Sequence, residues 1–72
     1  MGLFDAIFGM DDDKLRMTYD KAVIDADGDV SKAERNPEVE QAICMYVQEH
    51  NCSYDDAWVL AATGKKTGKL AE

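Results

Sequence analysis

The single proline of this chain, Pro37, limits how helices can run through it. Proline lacks a backbone donor and clashes with the preceding helical turn, so a helix arriving from the N-terminal side must end before it. Asn36 before the proline, with Glu38 and Glu40 after it, is typical of a helix start: the cap comes first, then proline, then acids at the positive end of the helix dipole. We therefore predict that one helix begins at residue 37 and that another ends before it.

The spacing of apolar residues predicts three main helices, at about residues 12–24, 37–50 and 54–63. A shorter amphipathic helix is expected before them, within residues 1–10. No segment has the two-residue alternation of a half-buried strand. The predicted fold class is therefore all-α, a small bundle of three main helices preceded by a short amphipathic N-terminal helix.

Local signals at the ends of these segments support the same division. Ser53 is a preferred N-cap, and Gly64 is a preferred C-terminal stop. The apolar positions that repeat at helical spacing, and that we expect to face the core, are Leu15, Tyr19, Ala22, Val23, Val39, Ile43, Tyr46, Val47, Ala57, Trp58, Leu60 and Ala61.

We divide the chain into three parts: an apolar docking segment at 1–10, a helical domain at 11–63 and a flexible basic tail at 64–72. The tail holds three lysines, Lys65, Lys66 and Lys69, and has no apolar periodicity.

The net charge of −7 limits the classes of partner. A chain of this charge is repelled by phosphate backbones, which argues against nucleic acid, and by anionic membrane surfaces. Basic protein surfaces or cations are the expected partners. No secretory signal or membrane-spanning run is seen at the sequence level, so we expect a cytoplasmic protein, or a virion protein if a phage encodes it.

The N-terminal segment is the first candidate binding element. Leu3, Phe4, Ile7 and Phe8 form one apolar stripe, with Asp5 opposite. Such a stripe can cover the domain's own core, dock into a partner's groove or lie in a membrane interface. The membrane alternative is disfavoured because the polar face lacks lysine and arginine. The first two alternatives stay open.

The acidic segment between residues 25 and 34 is the second candidate. In an EF-hand loop, oxygen ligands stand at positions 1, 3, 5, 7, 9 and 12, with glycine at position 6. Placing Gly28 at position 6 puts Asp25, Asp27, Ser31 and Glu34 at positions 3, 5, 9 and 12. Position 1, which requires Asp, is then Val23.

A second register starts the loop at Asp25 and recovers Asp27 and Asp29 as ligands, but leaves it two residues too short to include Glu34. Calcium is the only cofactor the sequence suggests, through Asp25, Asp27, Asp29, Ser31 and Glu34. Alternatively, nearby basic side chains balance these acids, and Glu34 caps a helical turn that Ser31 starts.

The stretch Asp27-Gly28-Asp29-Val30-Ser31-Lys32-Ala33-Glu34 resembles the acidic loop of the TerB-like and DjlA-like helical families. The resemblance implies helices joined by an acidic, metal-associated loop. Domains of those families are about twice this length and are not expected to carry Pro37.

Residues 42–50 and 53–57 together resemble a helix, turn and Ser-Tyr-acid-acid-Ala helix of bacteriophage structural and head-assembly proteins. This resemblance implies an origin in a phage particle, although capped helices joined by tight turns are common in proteins of every function.

Reactive side chains are few. His50, Cys44 and Cys52 offer three soft ligands where a structural zinc site needs four, and no other residue supplies catalytic machinery around them. We therefore predict a non-catalytic module that binds a protein partner or assembles with itself, as an accessory or structural part of a larger assembly such as a phage particle. The alternative is a calcium-binding module.

Overall fold

The structure, a computed structural model, describes residues 9–71, and those residues form helices without a strand. The four α-helices are α1 (Asp12–Asp25), α2 (Val30–Glu34), α3 (Pro37–His50) and α4 (Tyr54–Thr63), followed by a 3₁₀ turn at Gly68–Ala71. The all-α class and the three main helices are confirmed, with bounds that differ from the predicted ones by at most one residue.

Each main helix begins at a side chain that caps it. The carboxylate of Asp11 accepts a hydrogen bond from the Lys14 N–H at 2.8 Å. The predicted caps Asn36 and Ser53 are confirmed, because their side chains accept from backbone N–H groups two and three residues on. These contacts satisfy N–H groups that a helix leaves without an internal partner.

Helices α1 and α3 lie antiparallel, and α4 packs against both. Asp12, at the start of α1, contacts Tyr46 near the end of α3, whereas Ala22 and Asn36 line one cavity at the opposite end. The buried core is formed by Leu15, Tyr19, Ala22, Ala33, Val39, Ala42, Ile43, Tyr46, Cys52, Ala57, Leu60 and Ala61. Every predicted core position is buried or packs against this cluster.

The helix α2 starts earlier than the sequence indicates. Its cap is Asp29, whose carboxylate accepts from the Lys32 N–H at 3.1 Å, so Ser31 is not the cap. Glu34 accepts a hydrogen bond from the Tyr19 hydroxyl and therefore contacts another helix. A tertiary contact has replaced the local capping box that the sequence suggests.

The C-terminal tail has more structure than predicted. The carboxylate of Asp56 accepts hydrogen bonds from the Thr67 hydroxyl at 3.2 Å and from the Lys69 N–H at 3.3 Å. Leu70 packs against the core cluster. The tail has no regular apolar spacing, so its sequence does not indicate a helix. Its order depends instead on hydrogen bonds to a carboxylate of α4.

The predicted amphipathic helix within residues 1–10 falls mainly on residues 1–8, which lie outside the described part of the chain. Among the helices of residues 9–71, none is long and apolar enough to cross a membrane.

Candidate functional site

The N-terminal segment joins the helical domain at Met10, whose backbone makes two hydrogen bonds to side chains of α3. The N–H of Met10 donates to the Glu49 carboxylate at 3.1 Å, and its carbonyl accepts from His50 Nε2 at 2.9 Å. Glu49 and His50 are consecutive residues at the end of α3. We call these three residues the Met10 clamp.

Glycine is required next to this clamp. Gly9 is buried and has a φ of +95°, a backbone conformation that costs other residues about 1–2 kcal/mol. A Cβ atom at this position would also overlap the Glu49 carboxylate. Gly9 therefore lets the chain turn close to α3 immediately before the clamp.

A polar network lies behind the clamp. The His50 ring stacks on Tyr46, with ring centroids 4.0 Å apart and planes 18° apart. The Tyr46 hydroxyl donates to the Asp12 carboxylate, and Lys66 Nζ lies 3.2 Å from the same carboxylate. The network ties together the start of α1, the end of α3 and the tail.

The electrostatics of the network agree with its geometry. The hydrogen bond from Tyr46 lowers the pKa of Asp12, and the nearby Lys66 ammonium lowers it further, against a smaller opposing effect of burial. Burial, followed by the hydrogen bond to Asp12, raises the pKa of Tyr46. At neutral pH the pair is therefore a neutral donor and an ionised acceptor.

A groove lined by methionines runs between α1 and α3. Its wider part, of about 330 Å³, is lined by Met17, and its narrower part, of about 180 Å³, by Met10 and Met45. Thr18 and Glu38 line both parts, so the two parts are adjacent. We call it the methionine groove. Methionine is flexible and polarizable, so it adapts to differently shaped apolar partners.

Polar side chains border the wider part of this groove. Lys21 and Asp25 lie on the α1 side, and Asn36 and Glu38 lie on the α3 side. Met17 and Ala22 are its apolar lining residues, so the surface of the wider part is mixed in polarity.

The predicted partner-binding residues Leu3, Phe4, Ile7 and Phe8 lie outside the described residues. The structure does describe the residue that connects them to the domain, Met10, and its place at one end of the methionine groove.

The acidic connection between α1 and α2 is exposed. Asp27 has a φ of +60° and is followed by Gly28 at +87°, so the chain makes a tight left-handed turn after α1. Asp25 is the last residue of α1, and the Asp29 carboxylate is engaged as the cap of α2.

The five predicted calcium ligands are not gathered around one point. Asp29 and Glu34 make other hydrogen bonds, and Ser31 lies within α2. Within the part of the chain that the structure describes, no group of three or more His, Cys, Asp or Glu side chains is placed to hold a metal ion.

Basic residues share the surroundings of Asp25. Lys32 and Arg35 line, together with Asp25, a shallow cavity of about 360 Å³ between α1, α2 and the start of α3. This arrangement fits the alternative that the sequence left open, in which nearby bases balance the acidic connection.

The two cysteines are free thiols in different surroundings. Cys52 is buried, and burial raises its thiol pKa. The Cys44 sulfur accepts a weak hydrogen bond from the exposed Tyr54 hydroxyl at 3.7 Å. His50 is engaged by Met10, so these three residues make separate contacts.

Sequence reasoning missed two features of the site. The Met10 clamp joins residues about forty positions apart, and nothing in their local pattern indicates the contact. The methionines of the groove are a partial signal, because Met17 and Met45 lie on predicted helices outside the predicted core.

Comparison of the chain with protein-family models, with curated proteins and with solved structures gives no significant match.

Proposed function

We propose that this chain is a small non-catalytic protein-binding module that attaches to a larger assembly through its N-terminal apolar segment. The segment supplies Leu3, Phe4, Ile7 and Phe8 as contact residues. The helical domain supplies a fixed point from which the segment starts.

The Met10 clamp is the observation that carries this proposal. Both backbone polar groups of Met10 are bound by side chains of α3, and the stacked Tyr46 ring supports one of them. A docking segment that starts from a fixed point loses less conformational freedom on binding than one on a free linker, which strengthens its attachment.

Charge and side-chain chemistry agree with a binding role. The net charge of −7 favours a partner whose contact surface carries basic residues around an apolar patch. The one histidine contacts a backbone carbonyl, an arrangement that suits holding a chain in place better than transferring protons. We propose on this basis that the module is not an enzyme.

The assembly that we propose first is a phage particle or a complex in a phage-infected cell. The support is the sequence resemblance of residues 42–50 and 53–57, whose helix, turn and capped helix correspond to the end of α3 and the start of α4. A virion component should be present in purified particles, where mass spectrometry of the particle proteins would detect it.

Size fractionation of gently lysed native host cells tests the proposal. We expect the unmodified chain in a fraction far larger than its own 8.0 kDa. Phe4→Asp and Phe8→Asp place a charge on the apolar stripe and should each move the chain to the small fraction.

The matched control is Ile24→Asp, which puts the same charge at a side chain that is 75% exposed on α1. It should leave the chain in the large fraction. Circular dichroism of each purified variant checks that the helices are retained. A large fraction that survives both phenylalanine changes but is lost on Ile24→Asp or Asp27→Lys would contradict the proposal and place the contact at the acidic connection.

A further inference from the structure

The start of α1 and the C-terminal tail meet at the carboxylate of Asp12. One oxygen of this carboxylate, Oδ1, accepts the hydrogen bond from the Tyr46 hydroxyl. The other, Oδ2, lies 3.2 Å from Lys66 Nζ in the tail. Asp12 follows Met10 by two residues, so the tail contacts the chain directly beyond the Met10 clamp.

Acidic side chains are concentrated at this end of the bundle. Residues 11–13 are three consecutive aspartates at the start of α1, and the Glu49 carboxylate at the end of α3 binds the Met10 N–H. Carboxylates of the same charge repel one another, which favours separation of the two helix ends. The Lys66 ammonium offsets this repulsion through its ion pair with Asp12.

The position of Lys66 depends on the contacts that the tail makes with α4. The Asp56 carboxylate accepts hydrogen bonds from the Thr67 hydroxyl at 3.2 Å and from the Lys69 N–H at 3.3 Å. Gly68, between these two donors, has a φ of +55°, and a Cβ atom there would overlap the same carboxylate. The absence of a side chain at position 68 therefore lets the tail lie against α4.

We propose that the C-terminal tail is a latch on the Met10 clamp. When the tail lies on α4, Lys66 fixes Asp12 and keeps the start of α1 against the end of α3. When the tail leaves, the start of α1 opens more often and releases Met10. Helix ends open at a low cost in free energy, so one contact is enough to change how often they do so.

The coupling is reciprocal by thermodynamic necessity, so an interaction that holds Met10 more firmly also holds the tail more firmly. It is a property of the free chain. Its value for regulation rests on the function proposed above: if the N-terminal segment attaches the module, the latch sets how firmly the starting point of that segment is held.

Hydrogen exchange of the Met10 amide, measured by nuclear magnetic resonance on the purified full-length chain at fixed pH, tests the latch. Lys66→Ala should accelerate this exchange about two- to fivefold, the range that corresponds to the loss of one exposed ion pair. Lys65→Ala is the matched control, because it removes the same charge from the adjacent residue. It should leave the exchange of the Met10 amide unchanged.

Gly68→Ala perturbs the latch from a greater distance. It should lift the tail from Asp56 without altering a side chain of the Met10 clamp, and should accelerate the Met10 amide by a similar factor. In the Lys66→Ala background it should have little further effect, because both changes remove the same contact. Gly28→Ala controls for the backbone cost, since Gly28 also has positive φ but has no neighbour where a Cβ would stand.

Circular dichroism of each variant checks that the helices are retained. An unchanged Met10 amide in Lys66→Ala would overturn the inference. Equal acceleration in Lys65→Ala would also overturn it, because net charge and not the contact with Asp12 would then be responsible. Full additivity of Lys66→Ala and Gly68→Ala would exclude a route through Lys66. These measurements use the isolated chain and the fractionation test uses native cells, so the two proposals can fail separately.

Discussion

The two ends of the antiparallel α1 and α3 pair use similar side chains in different ways. At the end where the N-terminal segment leaves, Asp12, Tyr46, Glu49 and His50 all contact residues distant in sequence. At the other end, residues 24–30 are mostly exposed, and their backbone hydrogen bonds are local. We call these the clamped end and the open end.

The difference shows that acidic composition alone does not identify a binding site. Asp12 is part of a network that organises three segments, although its sequence context is a run of aspartates like those of many helix starts. Asp25 and Asp27 stand in a more suggestive pattern, yet both are exposed, and Asp25 lies near bases. The surroundings created by the fold decide which carboxylates have a structural role.

Core truncation should give the largest contrast between buried and exposed positions. Ile43 is buried and Ile24 is 75% exposed. Ile43→Ala should lower the free energy of unfolding by about 2–4 kcal/mol, because it removes buried methyl groups and leaves a cavity. Ile24→Ala should change it by less than about 0.5 kcal/mol. Urea denaturation measures both, and equal effects would contradict the described burial.

A glycine pair compares the two ends directly. Gly9 and Gly28 both have positive φ, but only Gly9 has a neighbour, Glu49, where a Cβ would stand. Each change to alanine should cost about 1–2 kcal/mol through the backbone.

Gly9→Ala should in addition displace Glu49 and expose the Met10 amide, whose hydrogen exchange should accelerate as it does in Glu49→Ala. Gly28→Ala should leave that amide protected. Equal exchange of the Met10 amide in both glycine variants would show that Glu49 does not hold it.

The Tyr46 hydroxyl should contribute about 1 kcal/mol at neutral pH through its bond to the Asp12 carboxylate. Tyr46→Phe tests this in urea denaturation. Tyr54→Phe is the control, since Tyr54 is exposed and donates only to a sulfur. A larger loss of unfolding free energy in Tyr54→Phe than in Tyr46→Phe would contradict the stabilising role of the network.

Tyr46→Phe should also alter the pH dependence of stability. The lowered pKa of Asp12 gives stability that is present above the ordinary value of 3.8 and is lost as pH falls through the folded-state pKa. The raised pKa of Tyr46 gives stability that is present below 10.0 and is lost as pH rises above it. Tyr46→Phe should therefore lose less stability than the unmodified chain, both as the pH falls into the acidic range and as it rises into the alkaline range.

Calcium should have the smallest effect of all. Because the five predicted ligands are not gathered, we expect no saturable change in the amide resonances of residues 25–34 at sub-millimolar calcium. A saturable change that Asp27→Ala abolishes would instead establish the calcium-binding alternative and make the open end the functional one.

The fold was predictable because its signals are local. Asn36, Pro37, Ser53 and Gly64 each act on the backbone within one turn, and the structure places all four as predicted. The apolar spacing within each helix likewise needs no knowledge of the other helices.

The site was less predictable because its contacts depend on packing. The Met10 clamp joins the chain before α1 to the end of α3, and the tail donates hydrogen bonds to Asp56 of α4, so both contacts form only when the chain folds back onto a helix. The alternative role of Glu34 shows the same limit: the sequence indicates a local cap, whereas the folded chain offers it the Tyr19 hydroxyl.

Site-specific photo-cross-linking in the native host tests the central claim most directly. A photoreactive residue at position 8 should give a covalent adduct with another protein, while one at position 24, at the open end, should not. An adduct from position 24 with none from position 8 would contradict attachment through the N-terminal segment.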